Sequence, residues 1–289
     1  MEFLQPSTWA EALAMKAARP DALPIAGGTD VMVEINFDRH RPAAFIDLTR
    51  IPELLEWGSE DGLLRVGAGV TYTRLMNELG DRLPGLAKAS RTVGSPQIRN
   101  RGTVGGNLGS ASPAGDAHPP LLASEATVEL ASVGGTRRLA AREFFIGPKR
   151  NAMRGDELIA AFLIPPEHGP QQFSKVGTRN AMVIAVCSFA IAIDAQRRHI
   201  GTGIGSAAPT PVTADDAERF LEGVLDERGL WDKPAAVEES ALARFGELVA
   251  AAARPIDDVR GTAAYRRLAL AVMARRSFTW AWNEYRAAA

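Results

Sequence analysis

The chain has 289 residues, 46% of them hydrophobic, which is enough for a sizeable core in two compact domains or one large one. Lys and Arg (33) nearly balance Asp and Glu (34), for a net charge of -1 with no long run of one sign, which excludes the basic face of a nucleic-acid binder. The single cysteine, Cys187, excludes an internal disulfide and any cysteine-bound metal or iron–sulfur site made by this chain alone.

The first residues, Met1-Glu2-Phe3-Leu4-Gln5-Pro6, lack the basic and apolar regions of a signal peptide. No run of about 18 apolar residues offers a membrane span, so a cytoplasmic protein is expected. Thr8-Trp9-Ala10-Glu11 is a capping box for a helix that ends before Pro20. Short strands are predicted over 23–26, 44–48 and 63–68, the first stopping at Gly27-Gly28. Thr71 caps a helix carrying Tyr72, Leu75, Met76 and Leu79, and residues 96–100 form one polar turn before a glycine loop. Asp116 is placed to cap a helix through Leu121 and Leu122. Residues 127–132 and 136–140 alternate around Gly134-Gly135 as a hairpin, and 157–164 is a strand. Three prolines and a glycine over 165–170 mark a domain boundary. Strands at 172–176, 183–194 and 199–204 follow, then helices over 214–225, 235–252 and 265–285. This mixed order argues for an α+β fold and against a doubly wound sheet.

Two glycine segments stand out, Ile25-Ala26-Gly27-Gly28-Thr29-Asp30 and Arg101-Gly102-Thr103-Val104-Gly105-Gly106-Asn107-Leu108-Gly109. Gly-Gly turns let successive backbone N–H groups converge into an anion-binding nest, and two such nests could hold the two phosphates of a dinucleotide. Thr29, Thr103 and Asn107 add side-chain donors, and Asp116 adds an acceptor for sugar or ribityl hydroxyls or a flavin N–H. One Gly-Gly turn alone reads as a tight turn with no ligand; two together, with Asn107 and Asp116, favour the nests. A Rossmann Gly-x-Gly-x-x-Gly, a P-loop and a Gly-x-Ser-x-Gly elbow are absent. His40, His118, His168 and His199 lack metal-ligand spacing, and His118 reads as structural or as a support behind a site. Cys187, in an apolar run, reads as a small buried residue.

Ala26-Gly27-Gly28-Thr29-Asp30, residues 97–107 (Gln-Ile-Arg-Asn-Arg-Gly-Thr-Val-Gly-Gly-Asn) and Ala111-Ser112-Pro113-Ala114-Gly115-Asp116 resemble the FAD subunits of molybdenum hydroxylases. These include xanthine dehydrogenase FAD subunits and carbon monoxide dehydrogenase medium subunits. The resemblance runs the whole length, through residues 258–267 (Asp-Val-Arg-Gly-Thr-Ala-Ala-Tyr-Arg-Arg) before the last helix. It implies a two-subdomain FAD-binding domain of the vanillyl-alcohol-oxidase (PCMH) type over 1–168, with subdomains of about 1–57 and 58–168. A smaller C-terminal α+β domain over 169–289 follows.

By matching position, the resemblance implies that Pro24, Ile25, Ala26, Gly27, Gly28, Thr29, Asp30 and Val31 bind the FAD diphosphate and ribityl region with Thr103, Val104, Gly105, Gly106 and Asn107. Asp116 would bind FAD directly, Ile159 would pack on it, and Lys175 would reach it from the C-terminal domain. Without the resemblance, Lys175 reads as a solvated lysine on an edge strand. No histidine or cysteine lies in the glycine segments, so FAD is expected to be non-covalent. No catalytic acid or base and no metal ligand is assigned to this chain.

The resemblance also implies partners: a large subunit with the molybdenum cofactor and a small subunit with two [2Fe–2S] clusters, assembled as a dimer of heterotrimers. Electrons would pass from the clusters to FAD and on to NAD⁺, oxygen or another acceptor, in a xanthine-dehydrogenase-like rather than carbon-monoxide-type complex. The extra iron–sulfur insert of benzoyl-CoA-reductase-like relatives is excluded by the single cysteine. A free-standing flavin oxidase of the same fold stays open, although no cap domain or acid/base cluster is visible. So does a scaffold subunit that has lost FAD, although its glycine segments are intact.

Overall fold

The computed structural model describes residues 1–39, 41–166 and 168–288; His40 and Glu167 of the predicted boundary lie outside the described residues. The first sheet is small and parallel: β1 (Glu2–Leu4), β2 (Leu23–Ile25) and β3 (Ala44–Asp47), in the order β1-β3-β2. Two helices connect its strands, α1 (Trp9–Ala18) and α2 (Val31–Asn36). Thr8 caps α1, its Oγ1 accepting from Glu11 N at 3.2 Å, and the Glu11 carboxylate turns back one residue further, accepting from Ser7 N at 2.8 Å. The central strand β3 is buried along its whole length, as a parallel strand covered on both faces must be.

A five-stranded antiparallel sheet follows. Its strands are β4 (Trp57–Glu60), β5 (Leu63–Gly67), β6 (Thr127–Ser132), β7 (Gly135–Ala140) and β10 (Leu158–Ile164), in the order β4-β5-β10-β6-β7. A two-stranded ribbon, β8 (Phe145–Gly147) with β9 (Arg150–Asn151), precedes β10. Between β5 and β6 run α3 (Tyr72–Glu78), α4 (Pro84–Arg91), α5 (Pro96–Arg101), α6 (Val104–Ser110) and α7 (His118–Ala123); α8 (Ala141–Phe144) follows β7.

Two expectations are corrected here. The predicted glycine loop at 101–109 is mostly the helix α6, because Thr103 caps it by accepting from Gly106 N at 2.8 Å. Asp116 does not cap α7; the N-cap is Ala117, and the Asp116 carboxylate is engaged elsewhere.

The last part is a three-stranded antiparallel sheet, β11 (Gln171–Val176), β12 (Cys187–Asp194) and β13 (His199–Gly205), packed on α9 (Asp215–Glu227), α10 (Glu239–Ala252) and α11 (Ala263–Ala288). β12 starts four residues later than predicted, at Cys187, which is fully buried with its thiol pushed up to about 12 by desolvation. Likewise α10 starts at Glu239, four residues later than predicted. One apolar core gathers residues between Ala12 and Ile164, and a second gathers residues between Cys187 and Trp282.

The two parts meet where α7 lies on β13. A Cβ on Gly201 would sit 2.0 Å from Ala123 O, and one on Gly203 would sit 2.0 Å from Pro119 O. Alternate residues of a strand share a face, so this pair of glycines gives β13 one bare face on which a helix backbone can rest. No helix among the described residues is long and apolar enough to cross a membrane.

Candidate cofactor site

β2 ends at Ile25, and the chain turns through Ala26-Gly27-Gly28-Thr29-Asp30 into α2, with Gly28 at φ +72°. From a distant part of the sequence, α5 ends at Arg101, and Gly102 leads to the Thr103 cap of α6. The two glycine segments touch backbone to backbone. A Cβ on Gly27 would sit 2.0 Å from Arg101 O, and one on Gly102 would sit 3.3 Å from Thr29 Oγ1. Behind them, Tyr72 N donates to Gly102 O at 3.0 Å, and Gly105 packs so tightly on Ala68 that its own Cβ would meet Ala68 O at 2.4 Å. The first N–H groups of a helix have no intrahelical acceptor, so the start of α6 presents backbone donors beside the 26–30 turn.

Pro24, Ile25, Ala26, Gly27, Gly28, Thr29 and Val31 are all half-buried, and Asp30 is exposed. Thr103, Val104 and Gly105 are buried, Asn107 is half-buried and Gly106 is exposed. Asn107 Oδ1 accepts from Ala117 N at 3.3 Å, which ties α6 to the loop that carries Asp116. His118 lies beneath, fully buried, its Nε2 bonded to Asn107 O at 3.0 Å and its ring 4.5 Å from that of Phe145. Burial pushes the His118 imidazole down to about 4, so the ring is neutral and Nε2–H donates to that carbonyl. Ile159, on β10, is 7% exposed and faces α6, with its Cδ1 3.7 Å from where a Cβ on Gly109 would lie.

Asp116 and Lys175 form the second half of the site. Lys175 Nζ donates to Asp116 Oδ2 at 2.6 Å and to Thr92 O at 3.2 Å, and Thr92 Oγ1 lies 3.3 Å from the same carboxylate oxygen. The two side chains are only 7% and 9% exposed. The bland reading of Lys175 is therefore corrected: β11 is an edge strand, but the ammonium is buried and reaches across to the first part of the chain. Desolvation pushes the Asp116 carboxyl above its ordinary value, against the pull of the Lys175 ammonium. Asp116 Oδ1 is buried and has no hydrogen-bond partner among the described residues. An orphaned carboxylate oxygen is costly unless a ligand's N–H or O–H meets it.

Tyr72 and Thr92 were missed from the sequence. Tyr72 is buried, its ring packs against Gly102, and its hydroxyl is pushed up by burial and then by the charges of Asp116 and Asp30. Its only sequence signal was its place after the Thr71 cap, and Thr92 carried none.

A site of this kind, with the 26–30 turn packed against the start of α6 and an under-bonded buried carboxylate on an α+β frame, suits a flavin dinucleotide. Residues 1–167 match the family of the FAD binding domain in molybdopterin dehydrogenase, and residues 172–281 match the CO dehydrogenase flavoprotein C-terminal domain. The chain belongs to this family of FAD subunits and is an oxidoreductase of the molybdenum hydroxylase class. It is 35% identical to the nicotinate dehydrogenase FAD-subunit of Eubacterium barkeri, over 77% of this chain and 79% of that one. The xanthine dehydrogenase FAD-binding subunit of Escherichia coli O157:H7 is 32% identical, over 75% and 77%. Among solved structures, a chain of the carbon monoxide dehydrogenase from Hydrogenophaga pseudoflava superposes with a TM-score of 0.89 at 26% identity, covering 99% of this chain and 98% of that one.

Proposed function

We propose that this chain relays electrons within a molybdenum hydroxylase complex, taking them from [2Fe–2S] clusters of a partner subunit and delivering them to NAD⁺, oxygen or another acceptor. The observation that carries the reading is the backbone contact of the two glycine segments beside the Asp116–Lys175 pair, in a chain of this family. Residues 24–31 and 103–107 would hold the diphosphate and ribityl region of FAD, and Asp116, Ile159 and Lys175 would meet it from the other sides. When bound, FAD supplies the redox chemistry; the protein binds, orients and shields it. Asp116 Oδ1 offers the free acceptor, Lys175 fixes the carboxylate's orientation, and Ile159 contributes an apolar surface that excludes water.

We divide the chain at the 165–170 segment into an FAD-binding domain over 1–168, with subdomains of about 1–57 and 58–168, and a C-terminal domain over 169–289. The separate sheets and cores support this division. Partners would be a large molybdenum-cofactor subunit and a small [2Fe–2S] subunit. The identities of 35% and 32% to nicotinate and xanthine dehydrogenase subunits support a xanthine-dehydrogenase-like complex.

The test is the visible spectrum of the purified chain before and after acid precipitation. Flavin bands released into the supernatant and identified as FAD are expected. Bands retained in the pellet overturn non-covalent binding, and a chain that takes up no FAD on incubation overturns the reading.

A further inference from the structure

The C-terminal sheet ends on β11, whose outer edge has no neighbouring strand among the described residues. Ile193 N donates to Pro170 O at 3.1 Å, which fixes the phase of the ladder. In an antiparallel pair the backbone groups of alternate residues turn toward the partner and away from it. Gln172, Ser174 and Val176 therefore face β12, and Phe173 and Lys175 point their N–H and C=O groups outward. On the same edge, Gln171 O is taken by Lys88 Nζ at 2.7 Å. The outward main-chain groups of Phe173 and Lys175 have no hydrogen-bond partner among the described residues.

Beside this edge α11 presents Tyr265, Leu268, Val272, Arg276 and Trp280, spaced three or four residues apart and so on one face of the helix. With Lys175 they line a groove of about 520 Å³. Tyr265 is 47% exposed, Leu268 64% and Trp280 51%, too much apolar surface on one stripe for a helix whose other side is core. The Arg276 guanidinium is exposed, with no carboxylate partner among the described residues.

We propose that this groove receives an extended segment of a partner subunit, which adds to β11 as a fourth strand. Its main chain pairs with Phe173 and Lys175, an apolar side chain covers Leu268 and Val272, and a carboxylate meets Arg276. Free strand-edge groups call for an extended segment rather than a helix, and the unpaired cation calls for an acidic one. The proposal rests on the reading of this chain as a subunit of a larger complex. It also explains why the groove adjoins the candidate cofactor site: Lys175 lines the groove, and its ammonium bonds Asp116. A partner docked there lies next to the place where electrons would be handed over.

The test is amide hydrogen exchange on the intact complex, purified through a tag on this chain, and on the isolated chain with and without FAD. The Phe173 and Lys175 amides should exchange at least about ten-fold more slowly in the complex than in the isolated FAD-loaded chain, as expected for newly paired edge amides. Leu268→Asp, at an exposed position, should lower recovery of the complex by a similar factor with melting temperature and flavin content unchanged. Arg276→Glu should weaken assembly and Arg276→Lys should largely restore it. Equal exchange in complex and isolated chain overturns the proposal. So does protection produced by FAD alone, or by self-association of the isolated chain. If the chain binds no flavin, the cofactor reading fails, while the exchange comparison still reports on the groove.

Discussion

At the scale of single residues, the Asp116–Lys175 pair is a buried ion pair whose partners come from different parts of the chain. Its formation offsets the cost of burying both charges, and removal of one partner strands the other. Asp116→Asn and Lys175→Met should each cost about 3–5 kcal/mol, and the double variant should cost less than their sum, measured by denaturant unfolding as a double-mutant cycle. Strict additivity would mean that the contact contributes nothing. Each single variant should also weaken FAD binding. His118 gives a separate, pH-dependent signature. Its folded value of about 4 lies below the ordinary 6.5, so between those two values the unfolded chain takes up a proton that the folded chain refuses. Stability from this residue is therefore fully present above pH 6.5 and is lost as pH falls toward 4. The full loss is about 3 kcal/mol at about 1.4 kcal/mol per pKa unit. His118→Gln, which keeps a donor for Asn107 O, should lose less stability than the parent between pH 7 and about 4.5; an identical loss would clear His118 of the effect.

At the scale of elements, the candidate site is drawn from ends, the end of β2, the end of α5 and the start of α6, with the Lys175 side chain reaching in from β11. Ends leave backbone groups unpaired, so they can face a ligand without breaking a ladder. The contact between the 26–30 turn and the Arg101–Gly102 peptide leaves no room for a side chain at Gly27. Gly27→Ala should push the two glycine segments apart, cost about 1–3 kcal/mol as an overpacked site, and cut FAD affinity more than it cuts stability. Fluorescence titration with FAD beside thermal unfolding separates the two effects; unchanged affinity would remove this contact from the site. The helical character of 104–110 follows the same logic. Thr103 supplies the cap, and burial of Val104, Gly105 and Leu108 against the sheet offsets the poor helix propensity of three glycines.

At the scale of the whole molecule, the two cores are joined by α7 resting on β13, by Lys175 reaching Asp116, and by Arg197 bonding Glu125 at 2.5 Å. These joints hold the halves of the site in register, so the chain should unfold in one thermal transition. Gly203→Ala, whose new Cβ would collide with Pro119 O, should lift α7 off the sheet and split calorimetric unfolding into two transitions. A single transition at a merely lower temperature would mean that the other joints suffice. By itself the sequence determined the α+β class, most element positions and the two glycine segments. These rest on local chemistry: caps, period-two alternation, Gly-Gly turns and an uninterrupted motif. Only the tertiary structure decided that the glycine segments touch, that Tyr72 and Thr92 join the site, that Lys175 is buried rather than solvated, and that β13 bares one face for α7. Each of those depends on atoms brought together from residues dozens of positions apart, and the energy of such contacts lies in packing and desolvation, which leave no periodic trace along the chain.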